Sequence, residues 1–423
     1  MTDAVRKTRN YWLLLVQGVC IDASRHIASP RLVLPYIYLA LGGPVFFAGL
    51  MLPVMQVARL TTPVVALPFI HATAGRKWFV VAALLVKAGV LAAIGLAADS
   101  LTATLIVAIF FLAALSAGMV QGINSVAYND LVGRVFHRDI RQAMLYRKSA
   151  LAGVVALALA AALGLNGVGS QSVSNDILFL LQAAALTLCG SLILIFVHEP
   201  VQRSVRPARD TKSCGPARGF FRTRHADFIA TTRHSWFRRL LVAGGLLLSV
   251  ELAMPFYAIH AATQYERHVG NISLFVVATS LAVIVGGSFW PRVSRNHEHV
   301  AMTGAAILAA AAAGLSIAIE LVEALRHPAI HAIVFFCIAM AAQGVATART
   351  LFVVARASNE ERASFLAVGN LIVGAVSVAM ASLFGYVAHI HGAIWPVFMI
   401  GGLNLLAALY CTRLHDEVSE ESL

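Results

Sequence analysis

The chain of 423 residues is 59% hydrophobic and only 12% charged, and its mean hydropathy is +0.79. Because a soluble domain carries about 25% charged residues, this composition excludes an ordinary water-soluble enzyme or binding domain. It is typical of a protein with many membrane spans, so the meaning of the net charge of +12 depends on where the charges lie.

Twelve apolar segments are each long enough to cross a hydrocarbon core about 30 Å thick. We predict spans at 12–39, 45–71, 78–97, 101–127, 146–166, 176–197, 236–262, 271–291, 299–322, 328–348, 363–388 and 393–412. The sequence thus predicts an all-α membrane protein with a six-helix N-terminal unit (1–198), a basic cytoplasmic linker (199–235), a six-helix C-terminal unit (236–412) and an acidic tail (413–423). The end of the linker, "FFRTRHADFIATTRHSWFRRLL", suits either a helix on the membrane surface or a solvated connection.

Lysine and arginine are distributed very unevenly between the predicted loops. Of the 32 Lys and Arg residues, 26 lie in loops on the side that holds both termini, two lie on the other side and four lie inside spans. Since loops rich in these residues stay in the cytoplasm, we expect an integral protein of a bacterial inner membrane with both termini cytoplasmic. The basic excess then reflects topology and contact with anionic membrane lipid, and it does not indicate nucleic-acid binding.

The two halves of the chain repeat one another. The stretch "RLVLPYIYLA" at 31–40 has the same shape as "ELAMPFYAIH" at 251–260, but the two open with opposite charges. Features recur in the same order at an offset of 220 to 222 residues: Pro35 and Pro255, Gln121 and Gln343, Arg141 and Arg362, Gly153 and Gly374. An offset of six spans predicts two units in the same orientation, and transporters commonly bind their substrate between such repeats.

These features resemble the major facilitator superfamily over nearly the whole chain. Locally, Gly75, Arg76 and Lys77 match the end of the family's motif in the loop between spans two and three, and Gln121 and Gly122 match part of a span-four motif. The remaining motif positions differ, so no subfamily is identified. The resemblance implies two pseudo-symmetric six-helix bundles, with spans 1, 4, 7 and 10 lining a central cavity and spans 3, 6, 9 and 12 facing lipid.

Charged and amide side chains inside the predicted spans are the candidate functional residues. A charge at the bilayer centre costs roughly 2.5–3.5 kcal/mol, so such residues avoid lipid and usually have a task. The candidates for substrate binding or coupling are Asp22, Arg25, His26, Arg31, Arg59, Gln121, Asn124, Glu251, Gln343 and Asn370.

Two groups among these candidates lead to specific hypotheses. Arg31 and Glu251 hold repeat-equivalent positions, which leaves three alternatives. They form a gate that opens between access states, they form a permanent ion pair, or they do not touch. Asp22, Arg25 and His26 share one helix face at i, i+3 and i+4, and they form either a proton-coupling cluster or an intrahelical ion pair.

Other titratable residues in the spans suggest less. Lys87 lies on predicted span three, where its side chain extends to the membrane surface or serves function. His71, His260 and His331 are predicted near span ends, as membrane-interface residues. The five cysteines are scattered, without the spacing of a disulfide framework or a metal site.

The sequence therefore favours a secondary transporter that moves a small organic solute by alternating access, with coupling to protons. Surplus positive charge in the spans favours an anionic or zwitterionic solute. No nucleotide-binding loop is present, and no motif indicates an enzyme, a cofactor or a metal. The alternative is a sensor or scaffold, without transport, built on a transporter fold.

Overall fold

The computed structural model describes residues 3–72, 77–97, 102–124, 128, 131–132, 138–166, 173–198, 232, 234–264, 272–293, 298–356 and 362–413. The loop motif at 73–76, almost all of the predicted linker (199–235) and residues 414–423 of the predicted tail lie outside this part of the chain. The prediction of either a surface helix or a solvated connection at the end of the linker also lies outside the described residues.

The described residues are almost entirely α-helical. In chain order the helices are α1 (Asp3–Ile27), α2 (Val33–Ala40), α3 (Val45–Ala72), α4 (Lys77–Ala97), α5 (Ala103–Ile123), α6 (Arg138–Asn166), α7 (Val173–Ile195), α8 (Ser235–Leu246), α9 (Leu248–Gln264), α10 (Ile272–Val293), α11 (Glu298–Leu321), α12 (Pro328–Arg356), α13 (Arg362–His391) and α14 (Ile394–Arg413). Ten stretches of described helix are long and apolar enough to cross a membrane, with α8 and α9 together counting as one. The protein is therefore an all-helical integral membrane protein, while the count of twelve spans stays a prediction.

Predicted spans one and seven are each divided into two helices. Between α1 and α2 the sequence reads Ser29-Pro30, and a proline disfavours helical geometry in the residue before it. Between α8 and α9 the helix is interrupted at Leu247, shortly after Gly244 and Gly245, and glycine is a poor helix former. Arg31 and Glu251 both lie within four residues of these breaks.

The two ends of the bundle can be distinguished by their contacts. We call the end where α1 begins and α14 ends the terminal face. There the Lys77 ammonium donates hydrogen bonds of 2.9 Å to the backbone oxygens of Ile195 and Val197. The Asn10 amide donates to the backbone oxygen of His198, also at 2.9 Å. These bonds fix the ends of α1, α4 and α7 at one level.

The N-terminal half (α1–α7) and the C-terminal half (α8–α14) meet mainly where α3 packs on α13 and α6 on α10. A Cβ on Gly374 of α13 would lie 2.6 Å from Leu60 of α3, and one on Gly153 of α6 would lie 3.0 Å from Ile284 of α10. Gly153 and Gly374 are the repeat-equivalent glycines, and each allows a close crossing between the halves. These paired crossings fit a pseudo-two-fold relation, although the division into two six-helix bundles stays a prediction.

The halves are also in contact at the end opposite to the terminal face. There α2 packs against α9, and the rings of Tyr36 and Phe275 lie 6.0 Å apart. On α3 and α13, Gly49 and Gly385 approach so closely that a Cβ on Gly49 would lie 2.8 Å from the Gly385 Cα. The absence of a side chain at Gly49 allows this approach, so the backbones of α3 and α13 are in direct contact at this end.

Candidate functional site

A cavity of about 330 Å³ lies between α3 of the N-terminal half and α8, α9, α12 and α13 of the C-terminal half. It extends from the middle of these helices toward the terminal face, where Phe237, Val353 and Phe365 lie close to the ends of α8, α12 and α13. The polar groups that line it are Gln56, Arg59, Glu251, Arg349, Asn370 and Ser377. Of the predicted site residues, the cavity therefore brings together Arg59, Glu251 and Asn370.

An ion pair crosses the cavity wall between α9 and α12. The Arg349 Nη1 donates to the Glu251 Oε1 at 3.3 Å, and both side chains are about four-fifths buried. Glu251 thus pairs with Arg349, and the pair of Arg31 with Glu251 that we considered from the sequence is not formed in this structure. Arg349 was missed because the sequence places it near the end of predicted span ten, among the cytoplasmic arginines.

Arg59 carries the unmatched positive charge of the cavity. It is partly buried near the middle of α3, and among the described residues it makes no hydrogen bond or ion pair. The charges of Arg31, Glu251 and Arg349 all lie near enough to interact with it. Arg59 therefore has two further arginines and one carboxylate near it, and that carboxylate is already paired with Arg349, which leaves the site electropositive.

Two residues that line the same cavity each have a buried side-chain oxygen without a hydrogen-bond partner among the described residues. These oxygens are Gln56 Oε1, one turn before Arg59 on α3, and Ser377 Oγ on α13. A buried polar atom without a partner costs about 1–3 kcal/mol. Such atoms are typical of a site that is completed by water or by a ligand.

A second cluster lies inside the N-terminal half. The Lys148 Nζ of α6 contacts Asp22 Oδ2 at 2.9 Å, and Arg25 Nη2 contacts Asp22 Oδ1 at 3.5 Å. The Lys148 ammonium also lies 5.6 Å from the centre of the Tyr128 ring. Lys148 was not among the candidate residues, although predicted span five (146–166) includes it. Because α6 begins at Arg138, Lys148 lies on a helix and reaches into the bundle.

A cavity of about 150 Å³ adjoins Asp22, Arg25 and Lys148. Three buried oxygens of residues that line it have no hydrogen-bond partner among the described residues: Gln17 Oε1, Asn124 Oδ1 and Tyr128 Oη. His26 is partly buried beside Asp22 and interacts electrostatically with it. Asp22, Arg25, His26 and Asn124 thus lie together, as the sequence grouping required, but apart from the larger cavity.

Lys87 is buried inside the N-terminal half, with an exposed fraction of 5%. Its ammonium donates to the Ser24 hydroxyl of α1 at 3.3 Å, and it lines a small cavity with Asp22, Arg25 and Gln121. The prediction that Lys87 extends to the membrane surface is therefore wrong. The reason is that α1 supplies the Ser24 hydroxyl at the level of the α4 lysine, and that hydroxyl is itself held by Thr187 of α7.

The repeat-equivalent glutamines lie at equivalent helix crossings. The Gln121 amide donates to the Met55 sulfur at 3.6 Å, where α5 crosses α3. Gln343 of α12 packs beside Gly286 of α10. Neither is among the residues that line the 330 Å³ cavity. Gln121 lines the small cavity beside Asp22 and Lys87, whereas Gln343 lies in the packing of α12 against α10.

A polar network in the C-terminal half was not predicted. His260 of α9 is buried, and its Nε2 lies 3.1 Å from Glu320 Oε2 on α11. The Gln264 amide donates to the same carboxylate oxygen, and the Ser316 hydroxyl lies 3.3 Å from His260 Nδ1. His260 and His331 lie near the ends of their helices, as the sequence predicted, but their side chains are buried within the protein with the rings 5.6 Å apart.

Comparisons with known proteins agree with this architecture. No known family profile matches the chain. Uncharacterised proteins of Mycobacterium bovis and Mycobacterium tuberculosis are 26% identical to it over 403 residues, which are 95% of this chain and 76% of each relative.

Solved transporter structures have a similar fold. A variant of the nucleoside transporter NupG superposes with a TM-score of 0.70 at 12% identity, covering 96% of this chain and 99% of NupG. The POT family transporter PepTSo superposes with a TM-score of 0.65 at 11% identity, covering 97% of this chain and 98% of PepTSo. A bacterial homologue of the human lysosomal transporter Spinster, in an inward-facing and unoccupied conformation, gives 0.63 at 14% identity, covering 98% of both chains. The chain has the fold of major facilitator superfamily transporters.

Proposed function

We propose that the protein is a secondary transporter that moves a small anionic or zwitterionic organic solute across the membrane by alternating access. The observation that carries the proposal is a cavity of about 330 Å³ that extends toward one face while the halves are in contact at the other; it holds Arg59, near the middle of α3, which has no ion-pair partner among the described residues. A one-sided cavity between two halves is what a single state of an alternating-access cycle requires.

The orientation follows from the lysine and arginine distribution. If both termini are cytoplasmic, the terminal face is the inner face of a bacterial inner membrane, and the cavity faces inward. Opening the other side requires α2 to part from α9, and α3 from α13, near Gly49 and Gly385. The ion pair of Glu251 with Arg349 joins α9 to α12 beside the cavity, so a solute whose acid attracts Arg349 would loosen a contact close to this movement.

We assign proton coupling to Asp22 in the N-terminal cluster. Protonation of Asp22 would remove the charge that holds Lys148 and Arg25, so the packing of α1 against α6 would respond to a proton. The test is the flux of the identified solute before and after a protonophore collapses the pH gradient. Asp22→Asn should abolish the response to the gradient while leaving exchange of solute down its own gradient, and an unchanged gradient response would exclude Asp22.

The transport proposal is tested by comparative metabolite profiling, inside and outside cells. The gene is deleted, restored, or restored as Arg59→Gln or Glu251→Gln at matched expression. A matched control is Arg292→Gln, because Arg292 is exposed on α10 and, within the part of the chain that the structure describes, bonds only to the Ser288 backbone oxygen of its own helix. A solute that shifts across the membrane with the intact protein and with the control, but not with the cavity variants, supports transport. Absence of any shift under several growth conditions favours a sensor or scaffold.

A further inference from the structure

The charges of the 330 Å³ cavity discriminate between an acid and a zwitterion. Glu251 is already neutralised by Arg349 at 3.3 Å, so it offers an incoming ammonium group little unshared negative charge. Arg59 has no ion-pair partner among the described residues, and Arg31 adds to the positive field near it. A guanidinium presents a planar fork of donors that matches a carboxylate or a similar oxyanion. The cavity therefore favours an anion beside Arg59 over a cation, since the Glu251 carboxylate, which is the acidic group among the described lining residues, already shares its charge with Arg349.

The remaining polar groups lie next to that position. Gln56 is one turn from Arg59 on α3, and Ser377 lies across the cavity on α13. Each side chain has a buried oxygen without a partner among the described residues, and rotation of either side chain toward the cavity would let it bond to a hydroxyl or amide group beside the acid, or to water bound with it. All of these groups lie near the middle of their helices, so the acidic end of a ligand would bind at depth.

The wall toward the terminal face is apolar and partly aromatic. It is formed by Phe237, Leu240, Leu241, Leu248, Val353 and Phe365. The Phe365 ring centre lies 5.0 Å from that of Phe237 and 4.7 Å from that of Trp236, so the aromatic side chains form one packed cluster. Such a wall gains affinity from apolar surface on the ligand, about fourfold for each buried CH₂ group.

The cavity volume limits the size of that apolar part. A volume of about 330 Å³ is at the lower end of small-molecule sites. It holds roughly eleven waters at about 30 Å³ each, which is room for one aromatic ring or a short acyl chain beside an acid.

We infer that the cavity takes a small amphipathic organic anion, with its acidic group against Arg59 and its apolar body along the wall formed by Phe237 and Phe365. This inference rests on the proposed function and narrows its solute to one class. It excludes both zwitterions and cations of the same size. The sequence alone had left zwitterions open.

The test is binding to the purified full-length protein, measured by calorimetry and by the change in total tryptophan fluorescence, to which Trp236 beside the wall contributes. The probes are benzoate and hexanoate, compared with acetate (no apolar body), benzyl alcohol (no charge), benzylamine (a cation) and phenylalanine (a zwitterion). We expect benzoate and hexanoate to bind at least tenfold more tightly than each of the other four. Tighter binding of benzylamine or phenylalanine, or no binding of any probe, would overturn the inference.

Variants assign the binding to the two ends of the cavity. Arg59→Gln should weaken benzoate at least tenfold without changing benzyl alcohol, and Arg59→Lys should weaken it less, because the charge stays and the fork is lost. Phe365→Leu should weaken benzoate more than acetate, and Arg292→Gln should change neither. If Arg59→Gln leaves benzoate binding unchanged, the acid does not bind where we place it, even if the variant of Phe365 behaves as expected.

Binding and transport can fail separately. If the anions bind as described and metabolite profiling finds no flux, the site stands and the transport proposal fails. If profiling identifies a cationic or zwitterionic solute that depends on Arg59, transport stands and the inferred class is wrong.

Discussion

The ion pair of Asp22 with Lys148 is the contact whose removal we expect to affect stability most clearly. The two side chains are 11% and 16% exposed, and their charged atoms are 2.9 Å apart. Removing one partner of a buried pair costs about 3–5 kcal/mol, because the other charge is left without compensation. Since both groups keep some exposure, we expect Asp22→Asn and Lys148→Met each to lower the free energy of unfolding by about 2–3 kcal/mol.

The double variant separates this interaction from the effects of the single changes. In Asp22→Asn/Lys148→Met no unpaired charge remains at this position, although Arg25 loses its partner too. We therefore expect the double variant to be destabilised by about 2 kcal/mol less than the sum of the single variants.

The assay is reversible unfolding of the purified protein in one fixed detergent. It compares the unchanged protein, the two single variants, the double variant and Arg147→Met. Arg147 is the neighbouring, exposed residue on α6, and its contact with the Tyr11 hydroxyl at 3.2 Å should contribute less than about 1 kcal/mol. Additive losses in the double variant would show that Asp22 and Lys148 do not interact. A loss with Arg147→Met as large as with Lys148→Met would show that the position on α6, and not the pair, determines the effect.

Three further predictions use the same unfolding measurement. Gly118→Ala should cost about 1–3 kcal/mol, because the new Cβ would lie 2.2 Å from a backbone oxygen of α3; the matched Gly89→Ala, with open space around it, should be neutral or stabilising by up to about 1 kcal/mol. Trp290→Phe should cost about 1 kcal/mol, since the indole N–H donates to a backbone oxygen of α12 at 2.7 Å. His260→Ala should cost about 2 kcal/mol and more than Glu320→Gln, because the histidine is buried and Glu320 is about one-third exposed. The reverse order for either matched comparison would contradict the packing described here.

The membrane-spanning character of the helices could be predicted because it is local. A run of about twenty apolar residues has few alternatives to a helix in lipid, where every backbone group must bond within its own segment. Ten of the predicted segments reappear as candidate spans. The interruption of span one at Ser29-Pro30 also had a local signal, the proline itself, but the sequence analysis treated 12–39 as continuous.

The internal repeat predicted the positions of helix crossings better than any single motif did. Gly153 and Gly374, matched only by their offset, lie at the two crossings between the halves. Gln121 and Gln343 likewise lie at equivalent crossings, yet both fall outside the larger cavity. A repeat therefore predicts equivalent positions in a fold, but it does not predict which of them face a ligand.

The amino-acid sequence by itself determined which segments are apolar, where the repeat lies and which charged residues are inside the membrane, since each follows from composition or helical spacing. The tertiary structure alone decided the partners of those charges. Glu251 pairs with Arg349 of α12 and not with Arg31. The cation that comes nearest to Asp22 is Lys148 of α6 and not a neighbour on α1. The physical reason is that long side chains reach across to another helix, and which helix lies there depends on the rotation and crossing of packed helices over the whole bundle.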